Sequence, residues 1–138
     1  GWNNKYDRNG YNFIDLFSKD IRISFASDIG ATRFPSPVES LIYRIIKELL
    51  NNTIKHAHAS DVSIRLEHFN NMLKCNYKDN GVGFNWKEKM ESPSRGMGLN
   101  NIITRVRSMG GEYEINSAPD KGFEIVFTLL TIKNADTQ

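Results

Sequence analysis

Three short segments carry the residue types that could do chemistry: Glu48-Leu49-Leu50-Asn51-Asn52, Asp79-Asn80-Gly81-Val82-Gly83 and Gly96-Met97-Gly98-Leu99. The first offers a carboxylate and two side-chain amides. A hard divalent cation such as Mg²⁺ takes oxygen ligands and usually keeps waters and substrate phosphates as the rest of its shell. One amide carbonyl from Asn52 beside the Glu48 carboxylate suits Mg²⁺ held mainly through a triphosphate. In the second segment an aspartate precedes a glycine turn, a carboxylate next to backbone that can approach a flat ring. In the third, glycines open a helix, where free N–H groups and the positive end of the helix dipole suit phosphate. Arg95, just before it, could add charge-assisted contacts. Together these are parts for holding a nucleotide: a metal ligand, a base reader and a phosphate cradle.

Each segment also has a plainer explanation. Residues on a helix advance by about 100°, so Asn52 lies about 40° from Glu48, Lys55 about 20° away on the other side and Asn51 about 60° off. Lys55 could therefore meet a phosphate oxygen, or the set could be a solvated polar face with a surface salt bridge. Period two puts Asp79 on the same strand face as Leu73, Cys75 and Tyr77. A carboxylate continuing a core face needs a donor, for which an adenine amine is one candidate, but Asp-Asn-Gly also ends strands in turns. The glycine pair before the second helix can be a simple loop-to-helix junction. The glycine spacing is not the G-x-G-x-x-G of a Rossmann unit, and no Gly-Lys-Ser/Thr of a Walker loop is present.

The elements that must position these residues follow from periodicity. Residues 1 to 18 have no clear period and read as a lead-in, with a short helix near Phe13 to Phe17. Ile21, Ile23 and Phe25 alternate as a short strand, and Asp28 to Pro37 is loop. Ser36 as N-cap, Pro37 at the first position and Glu39 three residues after the cap start a helix. Its wide apolar stripe runs from Val38 to Ala57 and includes Thr53. Val62, Ile64 and Leu66 alternate, as do Leu73, Cys75 and Tyr77, with Asn70-Asn71 as a hairpin turn. Residues 81 to 96 form a long polar loop. Leu99 to Met109 is a second amphipathic helix ended by Gly110-Gly111. Tyr113 and Ile115, then Phe123 to Leu129, are strands. The expected architecture is α+β: a two-layer sandwich of helices on one face of a mixed, mostly antiparallel sheet. The domain is expected over residues 19 to 132, with residues 133 to 138 as a tail.

The bulk properties exclude several function classes. The formal charge of +2 over 138 residues is too small to argue for nucleic-acid or membrane binding, and no nucleic-acid partner is expected. Cys75 is the only cysteine, so no intrachain disulfide can form. No apolar run approaches the roughly 20 residues of a membrane span.

In order and spacing the three segments resemble the family of the large heat-shock chaperone ATPases, type II topoisomerases, MutL and sensor histidine kinases. Tyr43-Arg-Ile-Ile-Lys-Glu48-Leu-Leu-Asn-Asn52-Thr-Ile-Lys55-His56-Ala57-His58-Ala59-Ser60 looks like the N-box of two-component histidine kinases, particularly the nitrate-sensor and lipid-desaturase-sensor subfamily. Asp79 to Phe84 resembles the first glycine box, Arg95 to Leu99 the second, and Gly110 to Gly122 the closing strands. The resemblance covers roughly residues 20 to 131. It implies a Bergerat-type fold with ATP between the helix layer and a lid of residues 85 to 95. By position, Asn52 would coordinate Mg²⁺, and Asp79 would read the adenine amine with Gly81 and Gly83 lining the ring. Gly96, Gly98 and Leu99 would flank the phosphates, with Lys55 as a basic phosphate contact. Glu48 corresponds to the water-activating residue of the hydrolysing relatives. Two departures stand out: Phe123 where relatives often carry a threonine that helps hold a water near the adenine, and Leu130-Thr131 in place of Leu-Pro.

The resemblance implies transfer of the γ-phosphate to a histidine on a separate dimerisation domain, with a response regulator downstream. None of His56, His58 and His68 sits on an acceptor-type helix, and His56 is expected to pack structurally. The chain is thus expected to be a cytoplasmic bacterial catalytic domain, cut from a longer receptor that could be anchored in the inner membrane, or acting in trans. Two alternatives share the fold: an anti-sigma-factor-like serine kinase and a non-catalytic nucleotide-binding module.

Overall fold

The computed structural model describes residues 21–30, 32–83 and 97–131. Strand β1 (Arg22–Ser27) leads to helix α1 (Ser36–Asn52), which runs on into a single π-helical turn (Thr53–Ala57). Strands β2 (Asp61–Phe69) and β3 (Met72–Asp79) form a hairpin, helix α2 (Met97–Ser108) follows, and β4 (Tyr113–Ser117) and β5 (Phe123–Leu130) complete the sheet. The strand order is β1-β2-β3-β5-β4. Only β1 and β2 pair in parallel; the other three pairings are antiparallel. This is the expected α+β architecture. The suggested helix near Phe13 to Phe17 and the lid lie outside the described residues.

Alternation along the strands builds one apolar face. Val62, Ile64 and Leu66, then Leu73, Cys75 and Tyr77, then Ile125, Phe127 and Leu129 are all buried. Ile42, Ile45, Ile46, Leu49 and Leu50 of α1 and Ile102, Ile103 and Val106 of α2 cover that face. Burial of a side chain of this size stabilises by roughly 1.5–3 kcal/mol, so the wide stripe on α1 fixes which of its faces is left for polar work.

The turns follow from local chemistry. Asn70 and Asn71 both have positive φ, as a tight hairpin turn requires. Gly110 has φ +68°, and the Gly110 and Gly111 N–H groups donate to the carbonyls of Arg107 and Val106, closing the last turn of α2. Thr131 N–H donates to the Asn71 carbonyl at 2.9 Å, a bond that proline in this position could not make.

Two local expectations are corrected. The N-cap of α1 is Pro35, not Ser36, and no side chain caps the helix end. Glu39 instead reaches back beyond the cap, accepting from Phe34 N–H at 3.2 Å and from Arg33 Nε at 3.0 Å. The apolar stripe to Ala57 is not one α-helix, because the chain widens into the π turn at Thr53. A wider turn advances fewer degrees per residue, so the α-helical angle no longer places Lys55 relative to Glu48.

Candidate functional site

Asp79 ends β3 and is 3 % exposed. Both of its oxygens have donors: Thr53 Oγ1–H at 2.9 Å to Oδ2, and Gly81 N–H at 2.9 Å to Oδ1. Thr53 Oγ1 also lies 2.5 Å from the Tyr77 hydroxyl, which is itself 3.1 Å from the Leu49 carbonyl. The strand period predicts Asp79 and Tyr77 on one face. The structure adds Thr53, from the helix layer, between them. Burial pushes the Tyr77 phenol well above its usual pKa, with the Thr53 bond opposing and the Asp79 charge reinforcing the shift.

The loop after Asp79 is held on two sides. Asn80 Oδ1 accepts from the N–H groups of Ser60 and Asp61, each at 3.0 Å, tying the loop to the start of β2. Asp61 in turn pairs with Arg22 of β1 at 3.0 Å. On the other side, Gly83 (φ +64°) packs so closely on the β4–β5 turn that a Cβ would sit 2.2 Å from the Ala118 carbonyl oxygen. Gly122 (φ +76°) faces Asp79 in the same way, its Cβ position 2.6 Å from the Asp79 carbonyl oxygen. The second half of the glycine box is thus demanded by backbone approach within the fold, beside whatever ring it lines.

Phe123 is the cross-strand partner of Asp79 and is buried, its ring 6.4 Å from that of Tyr77 in an edge-to-face arrangement. An apolar ring therefore occupies the β5 position next to the carboxylate.

The helix residues divide. Glu48 and Asn51 line an open cleft of about 270 Å³ between α1 and α2, together with Arg44, Lys47, Asn101 and Arg105. Asn52 is half-buried, one residue before the π turn, and Lys55 is exposed within that turn. Neither lines the cleft. Gly98 sits in the first turn of α2, against Glu48: a Cβ there would lie 2.2 Å from Glu48 Oε1. Leu99 is 5 % exposed, so its side chain belongs to the core and only its backbone can serve a ligand. Arg95, Gly96 and the lid lie outside the described residues, as does the side chain of His56. Among the described residues no three His, Cys, Asp or Glu side chains converge as a metal site.

Thr53 and Tyr77 are the polar residues that sequence reasoning missed. Their signal was present but ambiguous, since both fall at core positions of periodic stripes.

Comparison with known proteins places this geometry. A family model described as "Histidine kinase-, DNA gyrase B-, and HSP90-like ATPase" matches residues 38–133. The chain belongs to that family. Over 107 residues it is 43% identical to the sensor histidine kinase ComP of Bacillus subtilis, covering 75% of this chain and 14% of that protein. It is 33% identical over 112 residues to the sensor protein VraS of Staphylococcus haemolyticus, covering 81% of this chain and 31% of VraS. The chain thus spans less than a third of the length of these curated relatives. Among solved structures, the histidine kinase domain of the Erythrobacter litoralis EL346 blue-light activated kinase superposes with a TM-score of 0.66 at 17% identity. That match covers 83% of this chain and 53% of that one. The mycobacterial sensor histidine kinase MprB gives a TM-score of 0.59 at 20% identity, covering 80% and 81%. These structures share the fold. The chain is an ATP-binding domain of the type found in sensor histidine kinases, and no helix among its described residues is long and apolar enough to cross a membrane.

Proposed function

We propose that this domain binds Mg-ATP and transfers the γ-phosphate to a histidine on a separate dimerisation domain, with a response regulator downstream. The observation that carries the reading is the buried Asp79 carboxylate, fixed from both sides at the end of β3, in a chain whose relatives are named sensor histidine kinases. A carboxylate so fixed accepts from the exocyclic amine of adenine, and the glycine loop beside it gives the ring a flat wall. The triphosphate then runs along the polar face of α1 towards the start of α2, where the first N–H groups have no partner within the helix. Asn52 offers the protein oxygen to Mg²⁺, Lys55 and Arg95 meet phosphate oxygens, and Gly96, Gly98 and the Leu99 backbone flank the phosphates. Mg²⁺ bound there would offset negative charge on the transferring group. Glu48, beside Gly98, stands at the end of the path, where it can orient the acceptor imidazole or take its proton. Phosphoryl transfer of this kind relies on positioning and electrostatics rather than covalent chemistry by the protein. The domain is cytoplasmic in this reading, within a receptor that can be membrane-anchored.

The test is autophosphorylation of the full-length receptor, or of a histidine-bearing acceptor domain added in trans. Asn52→Asp should abolish an acid-labile, base-stable phosphoryl label while leaving the domain folded by circular dichroism. Undiminished labelling, or a label that survives acid as phosphoserine does, would overturn the proposal.

A further inference from the structure

Two buried hydroxyls have no part in the roles above, yet both converge on Asp79. Thr53 is 2 % exposed and Tyr77 fully buried. Three short contacts link Leu49 C=O, Tyr77 OH, Thr53 Oγ1 and Asp79 Oδ2, but the two hydroxyls carry only two protons. If the phenol donated to Leu49 and Thr53 to an ionised Asp79, the 2.5 Å oxygen pair between them would hold no proton and would repel. With Asp79 as carboxylate, one order fills both inner contacts: phenol to threonine, threonine to carboxylate. The Leu49 carbonyl does not depend on the phenol, because it accepts the Thr53 backbone N–H.

We propose that Thr53, oriented by Tyr77, is a positioning residue that holds Asp79 as a pure acceptor and so selects 6-amino over 6-oxo purine nucleotides. The inference rests on the reading of Asp79 as the base contact. A 6-amino purine presents an N–H donor to the carboxylate. A 6-oxo purine presents a second acceptor, and the two oxygens repel unless the carboxyl supplies a proton. Each carboxylate oxygen already accepts a donor, Thr53 Oγ1–H on Oδ2 and Gly81 N–H on Oδ1, so the group is arranged to meet a ligand as an acceptor. Among the described residues Thr53 is the only side chain bonded to Asp79, since the β5 neighbour is the ring of Phe123. Discrimination through a hydrogen-bonding site is steep because the wrong ligand leaves buried polar groups unpaired.

The experiment measures Kd of the full chain for ATP, inosine triphosphate and purine riboside triphosphate, which has hydrogen at position 6. The wild-type chain should prefer ATP over the inosine nucleotide, and Asp79→Asn should collapse that preference. Thr53→Val should lower it about tenfold, the size expected for one bond to a charged group, with purine riboside triphosphate binding changed less than about twofold. Thr53→Ser should restore the preference, and Tyr77→Phe should reduce it partially. If Thr53→Val does not fold, Thr53→Ala carries the same comparison. No preference in the wild type, or none lost in Asp79→Asn, refutes the base-reader reading and this inference with it. A collapse in Asp79→Asn beside an unchanged ratio in folded Thr53→Val overturns this inference alone. So does an equal loss for all three nucleotides, which would mark Thr53 as merely structural.

Discussion

Gly98→Ala would place a Cβ 2.2 Å from Oε1 of Glu48 and 3.2 Å from its Cδ, where ordinary contact begins at 3.4 Å. The Glu48 carboxylate must retreat by more than about 1 Å. It can do so, because it is the free end of a flexible side chain bordering an open cleft. Leaving its preferred rotamer costs about 0.5–1.5 kcal/mol. Replacing glycine by alanine in a helix returns about 0.8–1 kcal/mol. The two nearly cancel, so Gly98→Ala should change unfolding free energy by less than about 1 kcal/mol. In a Glu48→Ala background the clash is gone and only the helix gain remains, so the same change should stabilise by about 1 kcal/mol. Urea unfolding of the four proteins gives the coupling directly, expected at about 0.5–1.5 kcal/mol. Phosphoryl transfer should behave quite differently, since a 1 Å misplacement of a positioned group costs about 100-fold. Additivity within about 0.3–0.5 kcal/mol would refute the proposed contact. Full transfer activity in Gly98→Ala would refute the role of the contact.

The buried Tyr77 phenol should ionise only as the fold opens. Its folded pKa is raised by burial, so the stabilisation is complete below about pH 10, the ordinary tyrosine value, and is lost as pH rises past it. Absorbance at 295 nm should show one of the five tyrosines titrating late, together with loss of near-ultraviolet dichroism, and Tyr77→Phe should remove that step; five tyrosines titrating together in a folded chain would contradict it. Glu39→Ala strips the buried acceptor from Phe34 N–H and Arg33, and should cost about 1–3 kcal/mol in chemical denaturation. A loss below about 0.5 kcal/mol would mean that water replaces the carboxylate there.

Much of this was legible before folding. Alternation in Leu73, Cys75 and Tyr77 correctly put Asp79 on the core face, because a strand has period two whatever surrounds it. Asn70-Asn71 and Gly110-Gly111 named their own turns: Asn70, Asn71 and Gly110 supply the positive φ their positions require, and Gly111 leaves out a Cβ that the Thr128 carbonyl has no room for. The start of α1 was misread because capping depends on where the incoming chain lies, and here Arg33 and Phe34 draw Glu39 past the cap. Lys55 could not be placed from a 100° step once the helix widened at Thr53.

The sequence by itself determined the kinds and order of the parts: carboxylate, amides and glycines on elements whose periodicity could be read locally. Only the tertiary structure decided who serves whom. It set Thr53 of the helix layer, 26 residues before Asp79, against that carboxylate, laid Gly98 on Glu48, and closed Gly83 onto Ala118. Such pairings depend on how the helix layer seats on the sheet, a long-range packing of apolar stripes, and no local pattern around any of these residues encodes its partner.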